Sequence, residues 1–231
     1  MQTDDEKARL RARELAATAA AEGDGTGWFE KLYSEAEAGV STVPWADGTA
    51  NPHLEKWLGD TGPGAGRPAL VVGCGLGYDA ELLARRGFAV TAFDVAPTAV
   101  AAARRANPGS PVTYVTADLL HLPAEWSGAF DLVVEIYTLQ PLYGETRARA
   151  IAAVHEPVAP GGTLLVIARA TNEEDPVRDP AQMPWALTRR ELAAAGGPLR
   201  THEIEQFTDN ENPPKLRWIA EFRRDVAIAK P

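Results

Sequence analysis

The sequence predicts an α/β fold: a doubly wound, mostly parallel seven-stranded sheet with helices on both faces. Three observations predict it. Short apolar runs alternate with helical stretches between residues 69 and 168, the texture of βαβ units. A glycine-rich turn, Gly73-Cys74-Gly75-Leu76-Gly77, joins the first of those runs to the first of those helices. Two closely spaced strand candidates end the chain, which suits an antiparallel hairpin at one sheet edge.

The elements follow in order. Residues 4–22 are Ala-rich with Leu10 and Leu15 among charges, and predict a helix that the Gly23–Gly27 stretch stops. Trp28, Phe29, Leu32 and Tyr33 mark a second amphipathic helix over 28–38. Val43-Pro44-Trp45 is an extended turn, and 52–58 a further helix. Gly and Pro between 59 and 68 then break the pattern. Strands are predicted at 69–73, 88–93, 112–115, 130–135 and 163–168, with helices at 79–86, 96–106 and 145–158 between them. The closing strand candidates are 203–207 and 216–222. The expected organisation is an N-terminal helical cap over 1–58 and a core over 67–231, within one domain that is long enough to bury a proper interior.

Composition narrows the function. The chain has 231 residues and a formal net charge of −9, a field that repels phosphate backbones, so no nucleic-acid partner is expected. Its one cysteine, Cys74, excludes an internal disulfide and a thiolate metal site. His121 and His155 lack partners at ligand spacing, so no metal is expected. There is no signal-type or membrane-length apolar run. The expectation is a cytoplasmic protein without a membrane partner, a monomer or a homodimer.

The glycine turn carries the chemistry. Glycines there let the main chain turn tightly and approach a ligand, and the helix start that follows favours a negative group. In the dinucleotide fingerprint G-x-G-x-x-G the third glycine would fall at 78, which is Tyr78. The pattern is instead G-x-G-x-G, which resembles the loop of class I S-adenosylmethionine-dependent methyltransferases on a Rossmann-like sheet. Asp94, about 20 residues on, ends the second strand, where its carboxylate can accept from two ribose hydroxyls. It equally suits a helix start before Ala96 and Pro97. Asp118 ends the third strand and can accept from an adenine amino group, or form a turn. Val95 and Leu119, next to these two carboxylates, complete the expected crevice.

A narrower resemblance runs from Trp28 onward, to the thiopurine and thiol methyltransferases and their halide-methylating plant relatives. It rests on Ala69-Leu70-Val71-Val72-Gly73-Cys74-Gly75-Leu76-Gly77-Tyr78-Asp79, on the Trp28, Tyr33 and Val43-Pro44-Trp45 aromatics, on Phe130–Glu135, on Pro184-Trp185 and on Lys215–Trp218. Like that group, the sequence lacks an acid two positions before Gly73 and has Asp79 after the glycines. The resemblance implies S-adenosylmethionine as cofactor, held by Trp28, Trp45, Gly73, Cys74, Gly75, Gly77, Asp79, Asp94, Val95, Asp118, Leu119 and Glu135. It also implies a small-molecule acceptor, preferably a thiol. Ile136–Pro141 departs from the aromatic, Cys-containing stretch of the halide-methylating members, so halide is not the expected acceptor. Other core-sharing methyltransferases leave O- or N-methylation, or donor binding without catalysis, as alternatives. Glu135, Tyr137 and Tyr143 are candidate bases, and Arg147 a candidate to steer an anionic acceptor.

Overall fold

The computed structural model describes residues 3–211 and 213–226. Its strands are β1 (Pro68–Val72), β2 (Ala89–Asp94), β3 (Thr113–Thr116), β4 (Phe130–Ile136), β5 (Val158–Arg169), β6 (Arg200–Thr208) and β7 (Leu216–Arg223). They form one sheet in the order β3-β2-β1-β4-β5-β7-β6. The first five run parallel, while β7 lies antiparallel between β5 and β6. The expected mostly parallel sheet, with a C-terminal antiparallel hairpin, is the one observed.

Side-chain alternation explains why both faces are covered. Leu70, Val72, Val133, Leu164 and Val166 point to one face. Ala69, Val71, Leu132, Val134 and Leu165 point to the other. Two apolar faces need two helical layers. Helices α6 (Gly144–Ala153) and α7 (Arg189–Gly196) cover the first through Ala150, Ile151, Leu192 and Ala195. Helices α3 (Pro52–Thr61), α4 (Tyr78–Arg85) and α5 (Pro97–Ala106) cover the second through Leu54, Leu58, Leu82, Leu83, Val100 and Ala103.

The N-terminal helices α1 (Asp4–Glu22) and α2 (Gly27–Glu37) pack across the carboxyl ends of the strands. Helix α1 starts at a capping box, with Thr3 and Glu6 satisfying each other's backbone N–H groups, and stops at left-handed Gly23. Ala12, Leu15 and Ala16 of α1 join Trp28 and Leu32 of α2, and reach Met183 and Trp185 beyond β5.

Two elements differ from expectation. Helix α6 ends at Ala153, and β5 already begins at Val158, because residues 154–157 turn the chain back and Phe130 pairs with Val158. Helix α7 was not expected. Its start is a second capping box, Thr188 with Glu191, a signature present in the sequence.

Candidate active site

A cavity of about 880 Å³ opens at the carboxyl ends of the parallel strands. Its floor begins where β1 stops. Gly73 and Gly75 turn at φ +60° and +51°, in the left-handed region that L side chains rarely adopt. A side chain on Gly73 would run into Thr138, and one on Gly75 would come within 2.9 Å of the Tyr33 hydroxyl. The loop is bare because its neighbours leave no room.

Asp94 sits next to it, buried at the end of β2. One carboxylate oxygen accepts from Gly75 N at 2.9 Å and the other from Ala96 N at 2.9 Å. Burial pushes its pKa up, against the pull of these backbone donors. Asp94 thus lines the cavity and also braces the glycine loop to the next helix. A carboxylate oxygen accepts more than one hydrogen bond, so bracing leaves capacity facing the cavity. Asp118 lines the cavity while accepting from Leu120 N at 2.9 Å and lying 2.8 Å from His121 Nδ1. Cys74, Val95 and Leu119 line it as well. Asp79, at the start of α4, accepts from Asn51 N at 2.7 Å, and burial raises its pKa.

The cap supplies Phe29, Tyr33 and Trp45, and the Trp45 indole donates to the Tyr33 hydroxyl at 3.0 Å. Trp28 does not reach the cavity. It stacks on the neighbouring Phe29 at 3.9 Å within the cluster of α1 and Trp185. Gly77 does not line the cavity either; it caps α4 against the Tyr114 ring.

Two expected catalytic residues, Glu135 and Arg147, lie outside the cavity lining. Alternation along β4 puts Glu135 on the Val133 face, fully buried beneath the cavity rather than in it. One oxygen accepts from Thr138 N at 2.7 Å and Leu139 N at 3.0 Å; the other has no partner among the described residues. Burial raises its pKa to about 7. Glu135 therefore shapes the turn after β4. Arg147 is also buried, on the α6 face it shares with Ala150 and Ile151. It pairs with Glu191 at 2.7 Å and donates to the carbonyls of Leu139, Gln140, Trp185 and Ala186, so it ties two loops outside the cavity lining. Tyr143 is exposed and away from the cavity.

Tyr137 does line the cavity, at φ +61°, with the Arg217 guanidinium 4.8 Å over its ring. Burial pushes its pKa up. The structure adds residues that were not expected as site residues: Asn51, His53, Thr138, Gln140, Arg169 and Arg217. Only Asn51 had a local signal, as the helix start before Pro52. His53 lies edge-on to Phe207 at 4.7 Å; burial, and then the charge of Arg217, lowers its pKa. Among the described residues no group of three or more side chains is arranged to hold a metal ion, and no helix is long and apolar enough to cross a membrane.

The model of the family described as methyltransferase domain matches residues 70–166. That stretch is similar to a methyltransferase domain. It holds most of β1, all of β2 to β4, the glycine loop, both cavity aspartates and most of β5. The ubiquinone biosynthesis O-methyltransferase of Azotobacter vinelandii is 34% identical over 159 residues, covering 68% of this chain and 65% of that protein. The chain thus spans just under two thirds of that relative, whose name specifies oxygen rather than the sulfur expected above. Among solved structures, a protein described for the conversion of a disulfide bond into a thioacetal group during echinomycin biosynthesis superposes with a TM-score of 0.68 at 22% identity, covering 87% of this chain and 94% of its own. The 1,6-didemethyltoxoflavin-N1-methyltransferase of Burkholderia thailandensis superposes at 0.63 and 18%, covering 84% and 86%. At such identities the likeness is one of fold.

Proposed function

We propose that this chain transfers a methyl group from S-adenosylmethionine to a hydroxyl oxygen of a small molecule. The observation that carries the donor half is the bare Gly73–Gly75 loop braced to buried Asp94 at the mouth of the cavity. In this reading the loop main chain meets the amino-acid tail, with Asp79 near its amino group. Asp94 takes the ribose diol, Asp118 and Leu119 take the adenine, and Trp45, Tyr33 and Phe29 face the cationic sulfur. The donor supplies an already electrophilic methyl group. The chain's part is to align the acceptor, exclude water and receive a proton.

Oxygen is preferred over sulfur because the curated relatives bear oxygen acceptors in their names. A hydroxyl holds its proton more tightly than a thiol and needs a base. His53 suits that role, since it lines the cavity and its lowered pKa keeps it neutral near pH 7.

The test is calorimetric titration with S-adenosylhomocysteine, followed by a turnover screen with catechols, phenols and thiols that reads S-adenosylhomocysteine release. Wild-type protein should bind the nucleoside, and Asp94→Ala should weaken binding by roughly a hundredfold, the loss of charge-assisted hydrogen bonds and of the loop brace. Equal affinity of the two proteins would reject the donor site. Turnover of thiols alone would return the reading to S-methylation.

A further inference from the structure

Arg169 and Arg217 are direct partners across the antiparallel β5–β7 ladder, and both line the cavity. Like charges placed opposite each other on one sheet face repel. Arg217 is compensated: Asp209 sits 2.6 Å from its guanidinium, Glu211 binds it too, and the Tyr137 ring lies beneath it. Arg169 is not. Its backbone N–H donates to Gln140 Oε1 at 2.8 Å and its carbonyl accepts from Leu187 N at 2.8 Å, while its half-buried guanidinium has no direct carboxylate partner among the described residues. Burial and the charge of Arg217 press its proton affinity down; the more distant Glu211 carboxylate opposes them, and Arg13 and Arg9 add to the downward push. An arginine stays charged regardless. A half-buried charge with no direct counter-ion, offset only by a more distant carboxylate, favours the arrival of an anion that can pair with it.

The place in the sheet says what arrives. The donor loop and both cavity aspartates sit on β1, β2 and β3, whereas Arg169 ends β5, on the far side of β4. Arg13 reaches the same end from α1, its Nε held by the Met183 carbonyl at 2.9 Å. Carboxyl groups of Asp47, Asp209 and Glu211 share that end, so a doubly charged phosphate meets more repulsion there than a single carboxylate does.

We propose that Arg169 binds a carboxylate carried by the methyl acceptor, which makes the substrate a hydroxy acid rather than a neutral alcohol or phenol. The inference rests on the donor reading above. The flat guanidinium fork would grip both carboxylate oxygens and set the hydroxyl toward the donor side.

A matched probe pair tests it: 3,4-dihydroxybenzoate and catechol, which differ only by the carboxylate, titrated into protein saturated with S-adenosylhomocysteine. The benzoate should bind roughly tenfold more tightly than catechol. Arg169→Gln should erase that advantage while catechol and S-adenosylhomocysteine affinities stay within about twofold. Arg169→Lys, which keeps the charge and loses the fork, should restore only part of it. Equal binding of the two probes to wild type, or an advantage that survives Arg169→Gln, overturns the inference. So does a loss of S-adenosylhomocysteine affinity in Arg169→Gln, since the guanidinium would then serve the donor's own carboxylate. Wild-type protein that binds no S-adenosylhomocysteine overturns the donor reading, and this inference falls with it.

Discussion

The two ends of the cavity are built differently. At the donor end, main-chain turns and short carboxylates follow β1, β2 and β3, and each is braced by a local bond, as Asp94 is to Gly75 and Ala96 and Asp118 is to Leu120. At the acceptor end, long charged side chains converge from α1, β5 and β7, with uncharged Asn51 and His53 at the start of α3. The first end suits a ligand that never changes. The second can be altered one side chain at a time without disturbing the sheet, which is how one fold comes to serve many acceptors.

The sharpest way to break this division is His53→Gln. As the proton acceptor it should affect turnover alone, lowering kcat by roughly a hundredfold or more with S-adenosylhomocysteine affinity unchanged. The wild-type rate should fall as pH drops through the His53 pKa, which lies below the ordinary histidine value, and the variant should lose that limb. A parallel fall in nucleoside affinity would mean that the two ends are not separate.

Glu135 lies beneath both ends and holds the turn they share. Its folded pKa of about 7 stands above the value of 4.5 ordinary for glutamate. The folded state then binds more protons than the unfolded one between those values, so stability falls as pH rises from about 4.5 through 7. The size is on the order of 3 kcal/mol for a shift of this kind. Thermal melts between pH 5 and 8 should show that decline, and Glu135→Gln should flatten it. An equal slope in the variant would mean that another group titrates.

The smallest effect distinguishes two tryptophans of the cap. Trp45 borders the cavity and Trp28 does not. Trp45→Phe removes the bond to Tyr33 and should weaken S-adenosylhomocysteine binding by only about threefold to tenfold, the worth of one neutral hydrogen bond. It should also remove most of the fluorescence quenching on binding, which Trp28→Phe should preserve. Quenching that follows Trp28 instead would relocate the aromatic wall.

These regions also differ in how far the sequence reveals them. Gly73, Gly75, Asp94 and Asp118 are legible because strand-end turns impose local residue choices at short spacing. The burial of Glu135 and Arg147 was not legible, because a charged side chain near a strand end or on a helix reads as available. Their direction depends on alternation along β4 and on which face of α6 meets the sheet. Trp28 is a like case: it stacks behind Phe29, which lines the cavity while Trp28 does not, and adjacent aromatics in a sequence carry no sign of which one faces the cavity.

Apolar alternation, the glycine turn and the strand-end carboxylates are properties of neighbouring residues, so the primary structure alone determined the sheet, its winding and the glycine-loop side of the cavity. The acceptor side was decided only by folding. Arg169 and Arg217 are 48 positions apart in the chain and become cross-strand partners solely because β7 inserts antiparallel beside β5. Whether each finds a counter-charge depends on what the β6–β7 loop brings to Arg217 and leaves undone for Arg169, and no local pattern records that.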